Sequence, residues 1–209
     1  MQLDKNARLL LDVVAASGEP KLWDLTPPEA RKKVVELTRM VECKEAIGKI
    51  EDRTLPGPAG PLPFRVYTPL AADDEPSGGV IFFHGGAWVL GDLDTHDCLC
   101  RILANESGCR FISVDYRLAP EHPFPAAVED ACVATAWIAA HAAELAIDPT
   151  CLAVAGDSAG GTLAAVCVKV RKVPTSRLRF RYCCAPQPTL RLTISRAASL
   201  RRDIFSKGP

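Results

Sequence analysis

The chain has 209 residues, 48% of them hydrophobic, and its 25 Lys+Arg balance 25 Asp+Glu, which suits one domain with a buried core. No run reaches the ~18 apolar residues of a membrane-crossing helix, and the opening Met1-Gln2-Leu3-Asp4-Lys5 lacks the apolar centre of a signal peptide. A cytoplasmic protein is expected: nine cysteines with no C-x-x-C pair give no sign of a zinc knuckle or a disulfide framework and point to reduced, mostly buried thiols.

Leu3, Ala7, Leu10, Leu11 and Val14 recur at helical spacing and predict an amphipathic helix to Ala16. A second helix is expected from Thr26-Pro27-Pro28-Glu29 to about Met40, with Thr26 as N-cap and Glu29 as its capping-box partner. Both belong to an N-terminal helical segment, 1–46, with a packing role. Residues 47–54 read as a strand, Pro56 to Pro61 as dense turn chemistry, and Phe64-Arg65-Val66-Tyr67 as a returning strand. Gly79 to Phe83 is a continuous apolar run, as expected of a strand buried on both faces. A helix to about Ser107, a strand at Phe111–Val114, a loop stiffened by Pro120, Pro123 and Pro125, a helix from Ala126 to about His141 and a further strand follow. This alternation predicts an α/β fold with a mainly parallel, doubly wound sheet over residues 47–170.

The last of those strands breaks at Gly156-Asp157-Ser158-Ala159-Gly160-Gly161 and an Ala-rich helical run follows. A serine framed as G-x-S-x-G between strand and helix is a nucleophile elbow, with Ser158 at the tip above a helix N-terminus that favours negative charge. Taken alone, the motif is equally a glycine-rich turn that contains a serine. The earlier strand ends in His84-Gly85-Gly86-Ala87-Trp88, where glycines leave backbone N–H groups free to form an oxyanion hole. Together the two loops supply a nucleophile and its donors from one edge of a parallel sheet. Nucleotide binding is disfavoured, because no G-x-G-x-x-G follows a strand and no G-x-x-x-x-G-K-[ST] occurs. A trypsin-like arrangement fails too, since such enzymes are all-β.

His84-Gly85-Gly86, Asp115-Tyr116-Arg117-Leu118-Ala119-Pro120-Glu121 and Gly156-Asp157-Ser158-Ala159-Gly160-Gly161, in that order, resemble the hormone-sensitive-lipase branch of the α/β-hydrolases over residues 1–168. The resemblance implies an α/β-hydrolase fold with an N-terminal helical cap, and a serine carboxylic-ester hydrolase acting on short acyl esters without metal or organic cofactor. It implies that Ser158 is the nucleophile and that the N–H groups of Gly85, Gly86 and Ala159 hold the oxyanion. The family often has a third glycine where this chain has Ala87. His84 is expected to shape its loop, and Trp88 to line a substrate pocket or simply to pack. His96, His122 and His141 are expected in surface or loop-packing roles, and Glu121 and Asp130 as loop anchors.

The fold's triad runs Ser, then Asp or Glu, then His; after Ser158 this sequence has one acid, Asp203, and no histidine. Charge divides at the same region: residues 169–209 carry 11 Lys+Arg against one acid, and residues 1–168 carry 14 against 24. Tyr182-Cys183-Cys184-Ala185-Pro186, back-translated and read from each codon's third base, gives Leu-Leu, then Cys or Arg, then a codon that permits Pro. The family commonly has such a strand sequence there. The expectation is a frameshifted, incomplete hydrolase in which 171–209 is an aberrant basic tail. Two alternatives stay open: a basic tail that binds nucleic acid or an anionic surface, although no recognisable module supports it, and a non-catalytic fragment. A sheet that stops at the elbow strand would expose an edge and self-associate.

Overall fold

The structure, a computed structural model, describes residues 3–40, 42–72 and 75–169. The segment read as a basic tail, 171–209, and the codon argument built on it lie outside the described residues.

Helix α1 spans Lys5–Ala16 and α2 spans Pro27–Met40. The α2 cap differs in detail from the expected box: the Glu29 carboxylate accepts both the backbone N–H and the hydroxyl of Thr26. Leu9, Leu11, Val13 and Val14 of α1 are each more than half exposed.

Strands β1 (Lys49–Gly57) and β2 (Gly60–Thr68) form a hairpin whose ladder runs to the Gly57/Gly60 pair. The proline-rich stretch read as a turn is therefore largely strand, with Pro56 opposite Pro61. Proline is tolerated there because β1 is the sheet's outermost strand, where a missing N–H costs no ladder bond on the solvent side.

Strands β3 (Ser77–Phe83), β4 (Arg110–Val114) and β5 (Ile147–Gly156) complete a five-stranded sheet of order β1-β2-β4-β3-β5. The β1/β2 and β2/β4 pairs are antiparallel, and β4, β3 and β5 are mutually parallel. Helix α3 (Asp97–Ser107) returns the chain from β3 to β4, α4 (Ala126–Ala140) carries it across to β5, and α5 (Ser158–Lys169) follows β5.

The two faces bury separate clusters. Ile81, Phe83, Ile112, Val114, Leu152 and Val154 pack with α4 and α5 residues on one side; Tyr67, Phe82 and Phe111 pack with Cys100 and Ala104 of α3 on the other. Chain leaves β3 and β5 towards opposite faces, which makes their carboxyl ends a topological switch point of the kind where open α/β sheets bind ligands.

The cysteines require a correction. Cys43, just after α2, and Cys98, in the first turn of α3, form a disulfide across 55 residues, with Cα atoms 5.5 Å apart. No sequence spacing announces a bond between positions this distant; the fold makes it by laying the arm after α2 along α3. Cys100, Cys109 and Cys167 are buried thiols. No described helix is long and apolar enough to cross a membrane.

Candidate active site

The parallel register pairs Phe83 with Gly156, so the chain leaves β3 into His84-Gly85 beside the point where it leaves β5 into Asp157-Ser158. The elbow packs directly on the end of β3. A Cβ at Gly160 would fall on the Phe83 carbonyl, and one at Gly156 would meet the Gly160 backbone and stand 2.5 Å from the Phe83 oxygen. Only hydrogen fits at both positions. Ser158 itself is exposed and has φ 48°, in the left-handed region, the strained conformation that lifts a side chain clear of its turn. Ala159 carries one of the α5 first-turn N–H groups that have no partner within the helix.

Residues 86–90 turn sharply. Ala87 and Trp88 both have positive φ, 54° and 61°, and the Val89 and Leu90 N–H groups donate to the Gly86 carbonyl at 3.0 and 2.8 Å. Gly86 enters this turn at φ 120°, a conformation open to glycine. Ala87, standing where a third glycine is common, accepts the left-handed conformation.

One of the expected oxyanion donors has a partner in the structure. The Gly85 N–H already donates to Asp157 Oδ1 at 2.7 Å, so it is not a free donor. Among the described residues, no acceptor is found for the N–H groups of Gly86 and Ala87. Gly85 thus joins the two loops, and the Gly86 and Ala87 N–H groups follow it in the chain.

His84 is fully buried and stacked on Tyr116, with ring centroids 4.4 Å apart. Its Nδ1 lies 2.8 Å from the Gly85 carbonyl, which can only accept, so Nδ1 carries the proton. Nε2 is left buried without a partner among the described residues. Burial pushes the imidazole pKa down to about 4, despite the opposing Gly85 hydrogen bond, and the ring is neutral. The Tyr116 hydroxyl donates to the His84 carbonyl at 2.7 Å. His84 thus shapes its loop.

His96 is not simply a surface residue. Its Nε2 lies 3.5 Å from Asp157 Oδ1, its Nδ1 3.0 Å from Thr95 Oγ1, and its ring 5.4 Å from that of His84. Burial works to raise the Asp157 pKa, but the His96 ring and the Gly85 and Asp157 N–H groups outweigh it and hold the carboxyl below its usual value. Asp157 was in plain view inside the elbow motif; His96, 61 positions upstream, carries no short-range signal.

The other two histidines lie elsewhere. His122 is exposed in the loop before α4, and His141 stacks on Trp137 at the end of α4, its Nδ1 2.8 Å from the Trp137 carbonyl. Asp130, 1% exposed, accepts from the Arg117 backbone and guanidinium at 2.8–3.0 Å, and Glu121 pairs with Arg31 at 2.7 Å, so both anchor the loop between β4 and α4. Trp88 is 41% exposed. Among the described residues, no group of three metal-ligating side chains occurs.

A sequence profile of the α/β-hydrolase fold matches residues 80–207, a span that includes both loops and runs beyond residue 168, the last residue of the motif resemblance. The chain belongs to the α/β-hydrolase fold family. Among hydrolases it is similar to the esterase LipI of Mycobacterium tuberculosis, 52% identical over 119 residues that make up 56% of this chain and 37% of that protein. The arylesterase of Saccharolobus solfataricus is 41% identical over 165 residues, 79% of this chain and 53% of its own. The crystallised hyperthermophilic esterase of the archaeon Pyrobaculum calidifontis superposes with a TM-score of 0.76 at 44% identity, over 81% of this chain and 54% of that one. The chain thus spans between about a third and a half of these relatives' length.

Proposed function

We propose that this chain carries the nucleophile and oxyanion hole of a serine carboxylic-ester hydrolase for small-molecule, short acyl esters. Ser158 Oγ attacks the ester carbonyl, its proton passing to solvent or a base. A C–O bond forms to the serine, the alcohol departs with a proton, and water then cleaves the acyl-enzyme to acid and free Ser158. The N–H groups of Gly86, Ala87 and Ala159 receive the charge that develops on the carbonyl oxygen, where one such donor is worth about 3–4 kcal/mol. The observation that carries this reading is Ser158 at φ 48° on a turn packed against the end of β3. The relatives, an esterase and an arylesterase by name, support it.

All four histidines precede Ser158 in the sequence, and among the described residues none is hydrogen-bonded to its hydroxyl. Turnover is therefore expected to be slow, since an oxyanion hole without its base leaves about 10³–10⁴-fold acceleration over water. The test is hydrolysis of a short-chain aryl ester beside a Ser158→Ala control. A wild-type rate above the control is expected, and equal rates would leave the reading of a non-catalytic chain.

A further inference from the structure

Arg31, on the buried side of α2 next to the 4% exposed Ala30, reaches out of the N-terminal segment. Its Nε donates to the Val89 carbonyl at 2.7 Å, and its Nη2 to the Ala119 carbonyl at 2.8 Å. Nη1 and Nη2 also grip the Glu121 carboxylate at 2.9 and 2.7 Å. The Ala119 N–H in turn donates to the Trp88 carbonyl at 2.8 Å. One guanidinium therefore joins three pieces of chain: α2, the turn at 86–90, and the loop at 115–121.

The turn it grips contains the two consecutive left-handed non-glycine residues, Ala87 and Trp88. Such a conformation persists only where its surroundings over-determine it. Asp157 holds the near end through the Gly85 N–H; Arg31 and Ala119 hold the far end at Val89 and Trp88. Among the described residues, the other ion pairs of α2 stay within the N-terminal segment: Lys33 pairs with Glu19, and Lys32 with Glu36.

We propose that Arg31 is a positioning residue: from the N-terminal helical segment, outside the stretch matched by the hydrolase profile, it clamps the 86–90 turn so that the Gly86 and Ala87 N–H groups point where an oxyanion forms. The inference rests on the reading of that turn as an oxyanion hole. It also assigns the N-terminal segment a task in the site, whereas its sequence showed only packing. Arginine is required by geometry, because a planar fork of five donors spans two carbonyls and a carboxylate, and a lysine ammonium is a single point on a flexible stem.

The test is hydrogen–deuterium exchange, read by mass spectrometry, on the full chain as wild type, Arg31→Lys and Arg31→Ala. Peptides covering 84–92 and 115–122 are expected to exchange about tenfold faster or more in both variants, with peptides from β3 and β4 unchanged. Wild-type exchange in Arg31→Ala, full rescue by lysine, or acceleration spread evenly over the sheet would each overturn the clamp. Aryl-ester kinetics give the second readout: kcat falls in both variants while KM stays within about twofold. A wild-type chain no faster than Ser158→Ala would sink the esterase reading alone, and the exchange data would still decide the role of Arg31.

Discussion

Ser158 holds a conformation that costs an L-residue about 1–2 kcal/mol. Glycine at this position would relieve that strain, so Ser158→Gly is expected to stabilise the fold by about 1 kcal/mol while losing the hydroxyl. Urea midpoints check the stability, and ester hydrolysis should fall to the Ser158→Ala rate. Two titratable groups, the buried His84 and the half-buried Asp115, oppose each other in acid. His84 takes a proton near pH 6.5 when unfolded but only near about 4 when folded, so stability falls as pH drops across that window. Burial, then Asp92 and Asp94, push the Asp115 carboxyl from 3.8 up to about 6, so the folded chain binds that proton first and stability rises as pH drops from 6 to 4. The two slopes oppose each other in the wild type. In Asp115→Asn the histidine slope is no longer opposed by Asp115, and stability between pH 6.5 and 4.5 should fall more steeply than in the wild type, by on the order of 1–2 kcal/mol; urea midpoints at the two pH values measure it.

At the scale of elements, the elbow works because α5 starts in contact with the end of β3. Gly160→Ala would drive a methyl group into the Phe83 carbonyl, backbone that cannot swing aside. A loss of about 2–3 kcal/mol is expected, visible as a lower urea midpoint, with ester hydrolysis reduced in step as the elbow shifts. Strands, helices and both glycine loops were legible in the sequence because each is written locally: apolar runs of strand length in β3 and β4, and punctuation at Gly85-Gly86 and Gly156-Gly160. What escaped depends on approach in space. Arg31 reaches Val89 and Glu121 across 58 and 90 positions, and no helix pattern distinguishes it from its lysine neighbours. The commitment of the Gly85 N–H to Asp157 likewise spans 72 positions. Pro56 and Pro61 misled for the opposite reason: their local turn signal is overridden by β1/β2 pairing, with Pro56 on the outermost strand and Pro61 before the stretch of β2 that pairs with β4.

For the whole molecule, the sheet's two outer strands differ. β1 carries Lys49, Glu51, Arg53 and Pro56, charges and a proline that discourage a further strand. β5, with Leu152-Ala153-Val154-Ala155 in its centre, pairs among the described residues with β3 alone. The fold class was legible at this scale from the βα alternation. The cysteine pairing was not, because it depends on where the arm after α2 comes to rest.

That pairing also changes how the molecule would bear a load. The Cys43–Cys98 bond closes a covalent ring that contains β1, β2, β3 and the turn at 86–90. Tension applied at the two chain ends would cross the ring through the sulfurs, and the enclosed hairpin, strand and turn would stay slack. Single-molecule pulling of the oxidised chain should release a contour shorter by about 180 Å than the reduced chain, the extended length of the 55 residues bypassed. The ring is a mechanical shunt around one half of the candidate site, and Ser158 lies outside it, in the part of the chain that is pulled.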